Sequence, residues 1–188
     1  MKMSRKVQPV GLPITVANAK SHAVIQHCED DALISMQISQ AVDYAEQHTG
    51  RKLMQQTWEV FFDAWHLCFE VPLFPIQSVT ITYTDEAGDE QTLASDQYQV
   101  DTQSYPAIIR PAPDVTWPDL QDNYNTVKVD VVCGYDAACD VPHGIKAAIY
   151  LMVGHLYANR EGSTPAKIAE VPYGIDAFLD QYKLAFLS

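Results

Sequence analysis

No lysine or arginine occurs from residue 53 to residue 109. The same stretch holds Glu59, Asp63, Glu70, Asp85, Glu86, Asp89, Glu90, Asp96 and Asp101. Such a lobe repels phosphate, which argues against a duplex-binding face there. The basic residues ahead of it, Lys2, Arg5 and Lys6, are too few for nucleic-acid binding and read as a lightly tethered tail. Charge is scarce overall, at 19% of 188 residues; soluble domains usually carry about 25%. A chain this short of charge reads as one that hides part of its surface in an assembly. Net charge is −12.

Other absences narrow the class. Cysteines stand at 28, 68, 133 and 139 without a Cys-x-x-Cys spacing, the pattern of reduced thiols in a cytosolic product. The first residues carry charge but no apolar run behind it, so no secretory leader is expected. No run approaches the roughly 20 apolar residues that span a bilayer, so the expectation is a soluble protein with no membrane partner. Gly-x-Ser-x-Gly, a Walker-type Gly-Lys-Ser/Thr and a dinucleotide fingerprint are all missing, and eight glycines leave few phosphate-cradling loops. No catalytic residue is therefore assigned.

The histidines and acids yield no site either. His22, His27 and Cys28 are spaced by steps that do not share a helical face. Cys139 and His143 are four apart, but Pro142 and a helix boundary intervene, and Cys133 joins them only through folding. No metal and no cofactor are expected. Asp30 and Asp31 read as a helix cap, and Asp85, Glu86 and Asp89 as hairpin-turn acids.

What is present falls into three zones. Thr15 is a plausible N-cap for a short helix over 15–24. Asp30 or Asp31 caps a longer helix to about residue 49, with Ile34, Ile38, Ala41, Val42 and Ala45 at three- and four-residue steps and Gly50 as its stop. From about 54 to 135 the pattern is strands. Trp58, Val60, Phe62 and Ala64 share one face. Phe61 and Trp65 fall on the other, where they become candidate subunit-interface residues. Val79, Ile81 and Tyr83 alternate with threonines, a hairpin loop follows at 85–89, and shorter strands are expected at 98–101, 107–110 and 127–131. Prolines at 72, 75, 106, 111, 113 and 118 keep these strands short or at edges.

The last zone is helical. Pro142 opens a helix with Ile145, Ile149, Met152, Val153 and Leu156 in one stripe to about residue 160. The segment 161–171 is long for a helix–helix connection. It carries Ile168 and Val171, which a solvated linker does not need and which are further interface candidates. Gly174 precedes a final amphipathic helix with Ile175, Phe178, Leu179 and Tyr182. The expected class is α+β: one domain over 1–188, with N-terminal helices at 12–52, an inserted antiparallel β-rich lobe at 53–135 and C-terminal helices at 141–187.

Several segments, in order, resemble one family. They are Leu12-Pro13-Ile14-Thr15 to Ala19-Lys20, Asp30-Asp31-Ala32-Leu33-Ile34, Tyr44-Ala45-Glu46 and Thr49-Gly50-Arg51. Next come Gln56-Thr57-Trp58-Glu59 and Pro72-Leu73 with Pro75-Ile76-Gln77-Ser78-Val79. Gly134-Tyr135, Val141-Pro142, Ile145-Lys146, His155-Leu156-Tyr157, Asn159-Arg160-Glu161, Val171-Pro172-Tyr173-Gly174-Ile175 and Leu179 with Tyr182 complete the set. Together they resemble the head–tail connector (adaptor) proteins of long-tailed double-stranded DNA phages and prophages. Tyr173, where the family more often has an aliphatic residue, and Gly144 depart from its pattern.

The resemblance implies a structural virion protein at the neck, made in the bacterial cytoplasm. It implies a homo-oligomeric ring, dodecameric in the family, under the portal protein. The ring would extend the channel, dock the next neck or tail-completion protein, and let genomic DNA pass without sequence-specific binding. It implies no enzymatic role. A neck or tail-completion protein docking elsewhere is the alternative within the same class. A cytosolic α+β enzyme or ligand-binding module is the alternative outside it.

Overall fold

The computed structural model describes residues 1–159 and 173–185. They divide into a helical unit, drawn from Gly11–Met54 and the described part of Tyr135–Leu184, and a β unit built on Met1–Val10 with Gln55–Gly134. The class is α+β: helices pack together, and two antiparallel sheets are inserted between the N-terminal and C-terminal ones.

In the helical unit, α1 spans Val16–Ala23. The Thr15 hydroxyl oxygen accepts the Asn18 N–H at 3.1 Å, the cap its sequence position predicts. Helix α2 spans Asp31–Thr49 and buries Ile34, Ile38, Ala41, Val42 and Ala45, the stripe read from spacing. Gly50 ends it in the left-handed region at φ 75°, its N–H donating to Glu46. Asp30 occupies the cap position of α2 without a side-chain cap bond, because its backbone (φ −95°, ψ 9°) is not extended. Its carboxylate instead accepts the Tyr157 hydroxyl at 2.7 Å.

Helix α3, His143–Ala158, follows Pro142 directly and buries Ile145, Ala148, Ile149 and Val153. Helix α4, Tyr173–Asp180, starts one residue before Gly174, so that glycine lies inside the first turn. Ile175 and Leu179 are buried, while Phe178 is exposed. Tyr182 lies past the end of α4. Helix α2 packs against α1, α3 and α4, and the buried stripes merge into one core.

Gly144, the departure noted in the sequence, has a packing reason. A Cβ there would stand 2.6 Å from Cε2 and 2.8 Å from the hydroxyl oxygen of Tyr182. Glycine costs a helix about 1 kcal/mol relative to alanine; here it makes room for a ring. Gly144→Ala is expected to displace Tyr182 and destabilise the chain by about 1–2 kcal/mol. In a Tyr182→Ala background the same change is expected to stabilise by up to about 1 kcal/mol. Urea unfolding of the four proteins checks that reversal of sign.

The β unit holds two sheets. Strands β1 (Lys2–Val7), β2 (Gln56–Phe62), β4 (Ile76–Thr84), β5 (Glu90–Thr92) and β8 (Val127–Cys133) form one, in the order β1-β2-β8-β4-β5. Strands β3 (Phe69–Val71), β6 (Tyr98–Asp101) and β7 (Ala107–Pro111) form the other, in the order β3-β7-β6. Side chains alternate across each strand. Val127, Val129, Val131 and Cys133 of β8 point inward with Val60 and Phe62, and meet Phe69, Val71, Ala107 and Ile109 of the smaller sheet in one core.

Three expectations change. The basic N-terminus is strand β1, not a loose tail. Strand β2 ends at Phe62, leaving Ala64 exposed in a loop. The second arm of the acidic hairpin is a strand of its own, β5, although it lacks apolar alternation.

Candidate functional site

The outer face of the five-stranded sheet explains why β1 docks. Glu59 on β2 and Asp130 on β8 stand directly opposite each other. Like charges in that arrangement weaken a sheet. Lys6 answers both, with Nζ 3.3 Å from Glu59 and 2.8 Å from Asp130. The bond to Asp130 is the main reason its pKa lies above the ordinary lysine value. A raised lysine pKa gives stability that is full below the unfolded value and is lost only as pH rises through the folded one, so the contact is intact at neutral pH. Arg5 lies over the Trp58 ring, 5.2 Å from its centroid. Lys6→Ala is expected to speed amide exchange along 2–7 while the β2–β8 ladder stays protected; hydrogen-exchange mass spectrometry checks this.

The acidic hairpin between β4 and β5 is shaped by its own carboxylate. Asp85 accepts the N–H groups of Ala87 and Asp89, both at 3.0 Å. Gly88 supplies the positive φ of 90° that the turn needs. These bonds, with Asp89's first, hold the Asp85 carboxyl below its usual range. Glu90 reaches Lys128 at 3.0 Å. Glu86 and Asp89 complete an acidic, exposed tip.

Phe61 is half-buried on β2, in register with Lys2 on β1 and Lys128 on β8. With Thr82, Thr84 and Asn125 it lines a cavity of about 220 Å³. Trp65 sits in the loop after β2, stacked on Trp117 with centroids 4.6 Å apart and planes at 10°. The Trp65 indole N–H donates to the Pro118 carbonyl at 2.7 Å, and that of Trp117 to the His66 carbonyl at 2.8 Å. Much of the Trp65 ring is thus engaged within its own unit. Trp117, in a proline-punctuated stretch without periodicity, carries no sequence signal for this role. Ile168 and Val171, with the whole segment 161–171, lie outside the described residues.

Two exposed apolar residues add to the surface. Leu67 is 92% exposed and Tyr124 79% exposed. Their loops are tied together where Asp63 accepts the Asn125 N–H at 2.7 Å. Isolated apolar residues in loops have no period to betray them. In the helical unit, Leu33, Met36, Gln37, Gln40, Leu156 and Asn159 line an open groove of about 290 Å³.

Among the described residues, no three His, Cys, Asp or Glu side chains gather to hold a metal ion. Cys133 is buried in the β unit, whereas Cys139 is exposed in the helical unit. No described helix is long and apolar enough to cross a membrane.

The family model described as phage gp6-like head-tail connector protein matches residues 13–111. No curated protein matches the sequence. Among solved structures, a chain of the virion of a native gene transfer agent (GTA) particle superposes with a TM-score of 0.81 at 19% identity, covering 100% of this chain and 98% of that one. A chain from the neck of an empty GTA particle, computed with C6 symmetry, gives 0.79 at 19% identity over 100% and 98%. A chain from the neck of a native GTA particle, computed with C12 symmetry, gives 0.70 at 19% identity over 97% of each chain.

Proposed function

This chain belongs to the phage gp6-like head-tail connector family, a family of structural and not enzymatic proteins, and from that premise we propose that it is the ring-forming adaptor beneath the portal of a phage-like particle. The family match carries the reading. It runs from the first helix into the second sheet, across both units. The chain is a head–tail connector of the neck, at the junction of head and tail.

The finer picture rests on physical grounds. A cyclic ring joins two different patches of each subunit. Phe61, Trp65, Ile168 and Val171 remain the candidate interface residues. A dodecamer is the stoichiometry the family resemblance implies, and the cyclic symmetry of the GTA necks supports a ring. The portal on one side and a neck or tail-completion protein on the other are its partners. Genomic DNA passes through a wall with net charge −12 per subunit, which favours sliding over sticking.

A gel-shift titration at low salt, where phosphate contacts are strongest, is expected to show weak binding to free duplex. Tight binding there would contradict the channel reading. Deleting the gene in the producing host tests the function itself. Filled heads and free tails should accumulate unjoined, and normally joined particles would overturn the proposal.

A further inference from the structure

Among the described residues, the five-stranded sheet ends in two edge strands, β1 and β5, and their charges are opposite. Strand β1 carries Lys2, Arg5 and Lys6 and no acid. The arm at 85–92 carries Asp85, Glu86, Asp89 and Glu90 and no base. All six residues of β1 and all three of β5 are exposed. Among the described residues each pairs with a strand on one side only, so its other side offers backbone groups to a further strand.

We propose that the β1 edge of one subunit docks against the β5 edge of a second copy of this chain, continuing the sheet from subunit to subunit. The inference rests on the ring reading above and adds the surface that joins the ring. Like edges repel: β1 against β1 brings basic strands together, and β5 against β5 brings acidic ones. Only the unlike pairing is attractive, and that is the heterologous, head-to-tail contact a cyclic ring requires.

Lysines and bulges on an edge strand are also the ordinary defence against stray pairing. Strand β1 has both, with a register shift between Arg5 and Val7. That defence works against like or neutral edges and leaves an acidic edge free to approach. The bulge limits the pairing to the first part of β1, residues 2–5, which matches the short reach of β5.

Cross-linking tests the pairing on the full chain. Cys28, Cys68 and Cys139 are exposed and would first be changed to serine. Ser4→Cys and Thr92→Cys, which lie on the same face of the sheet, are then added, singly and together. Within one chain these positions sit four strand spacings apart, roughly 19 Å, far beyond the roughly 7 Å that a disulfide spans. Under mild oxidation, alone at high concentration and with portal present, the double variant should give a ladder of multimers on a non-reducing gel, and each single variant none. Reversing charge with Lys2→Glu and Arg5→Glu should abolish the ladder, and adding Glu86→Lys and Asp89→Lys should restore it.

Rings visible by electron microscopy without a ladder would overturn this pairing and leave the connector reading intact. Dimers from Ser4→Cys alone would show like edges meeting, and would overturn it as well. Neither ring nor ladder would overturn both.

Discussion

Phe69→Ala is expected to lower stability by about 3–5 kcal/mol, the cost of truncating a fully buried phenylalanine. Phe69 is 1% exposed at the start of β3. Its ring lies 4.5 Å from Phe62, 6.0 Å from Trp65, 5.6 Å from His66 and 5.9 Å from Trp117, centroid to centroid. Its ring touches both Phe62 of the larger sheet and the tryptophan stack. Removing it leaves a cavity that a stack fixed by two indole hydrogen bonds cannot collapse to fill. Domains are stable by only about 5–15 kcal/mol, so this single change removes a large share. Denaturant unfolding should show a much lower midpoint at an unchanged slope. Phe69→Leu, which keeps most of the volume, should cost far less. Equal losses for both variants would mean that the aromatic ring, and not its volume, holds the cluster.

Glu46→Ala is expected to cost about 3 kcal/mol, chiefly by removing the acceptor of the buried Leu53 N–H. Glu46 is buried near the end of α2 and reaches forward past Gly50. Its carboxylate accepts the Leu53 N–H at 2.9 Å and the Lys52 ammonium at 3.1 Å. Leu53 is fully buried, so its N–H has no water to turn to. The side chain therefore pins the chain where it leaves α2 and Leu53 enters the helical core. Glu46→Gln keeps an oxygen for Leu53 and should recover more than half of the loss. A glutamine variant as unstable as the alanine one would mean that the charge toward Lys52 dominates. Urea unfolding of the three proteins separates the cases.

Glu46 also shows where sequence reading stops. Spacing alone exposed the apolar stripe of α2, its end at Gly50 and the strands with alternating valines, because burial on one face leaves a period in the chain. Glu46 belongs to the Tyr44-Ala45-Glu46 resemblance, but a carboxylate bonding seven residues ahead leaves no period. Strand β1 was illegible for a similar reason. All its side chains are exposed, so nothing alternates, and what holds it is Lys6 between two carboxylates that meet only after β2 and β8 pair. Asp30 misled in the opposite direction. Its residue type and position suit a cap, but Tyr157 claims the carboxylate.

The candidate surface was legible in part. Phe61 and Trp65 stand out because they fall on the face opposite Trp58, Val60 and Phe62, and the structure places both as half-buried residues of the β unit. Their neighbours could not be read. Trp117 lies far along the chain among prolines, and Leu67 and Tyr124 are lone apolar residues in loops. The charge asymmetry was visible in composition from the start. Its arrangement on opposite edges of one sheet needed the strand order.

A ring-forming adaptor must close on the portal. The most direct measurement is electron microscopy of purified portal incubated with the full-length protein, with class averages taken along and across the ring axis. The expected result is a second, cyclically symmetric layer of density on the tail-facing side of the portal, with an open channel continuous through both. Portal particles with no added layer, while the protein stays in solution as monomer at saturating concentration, would contradict it.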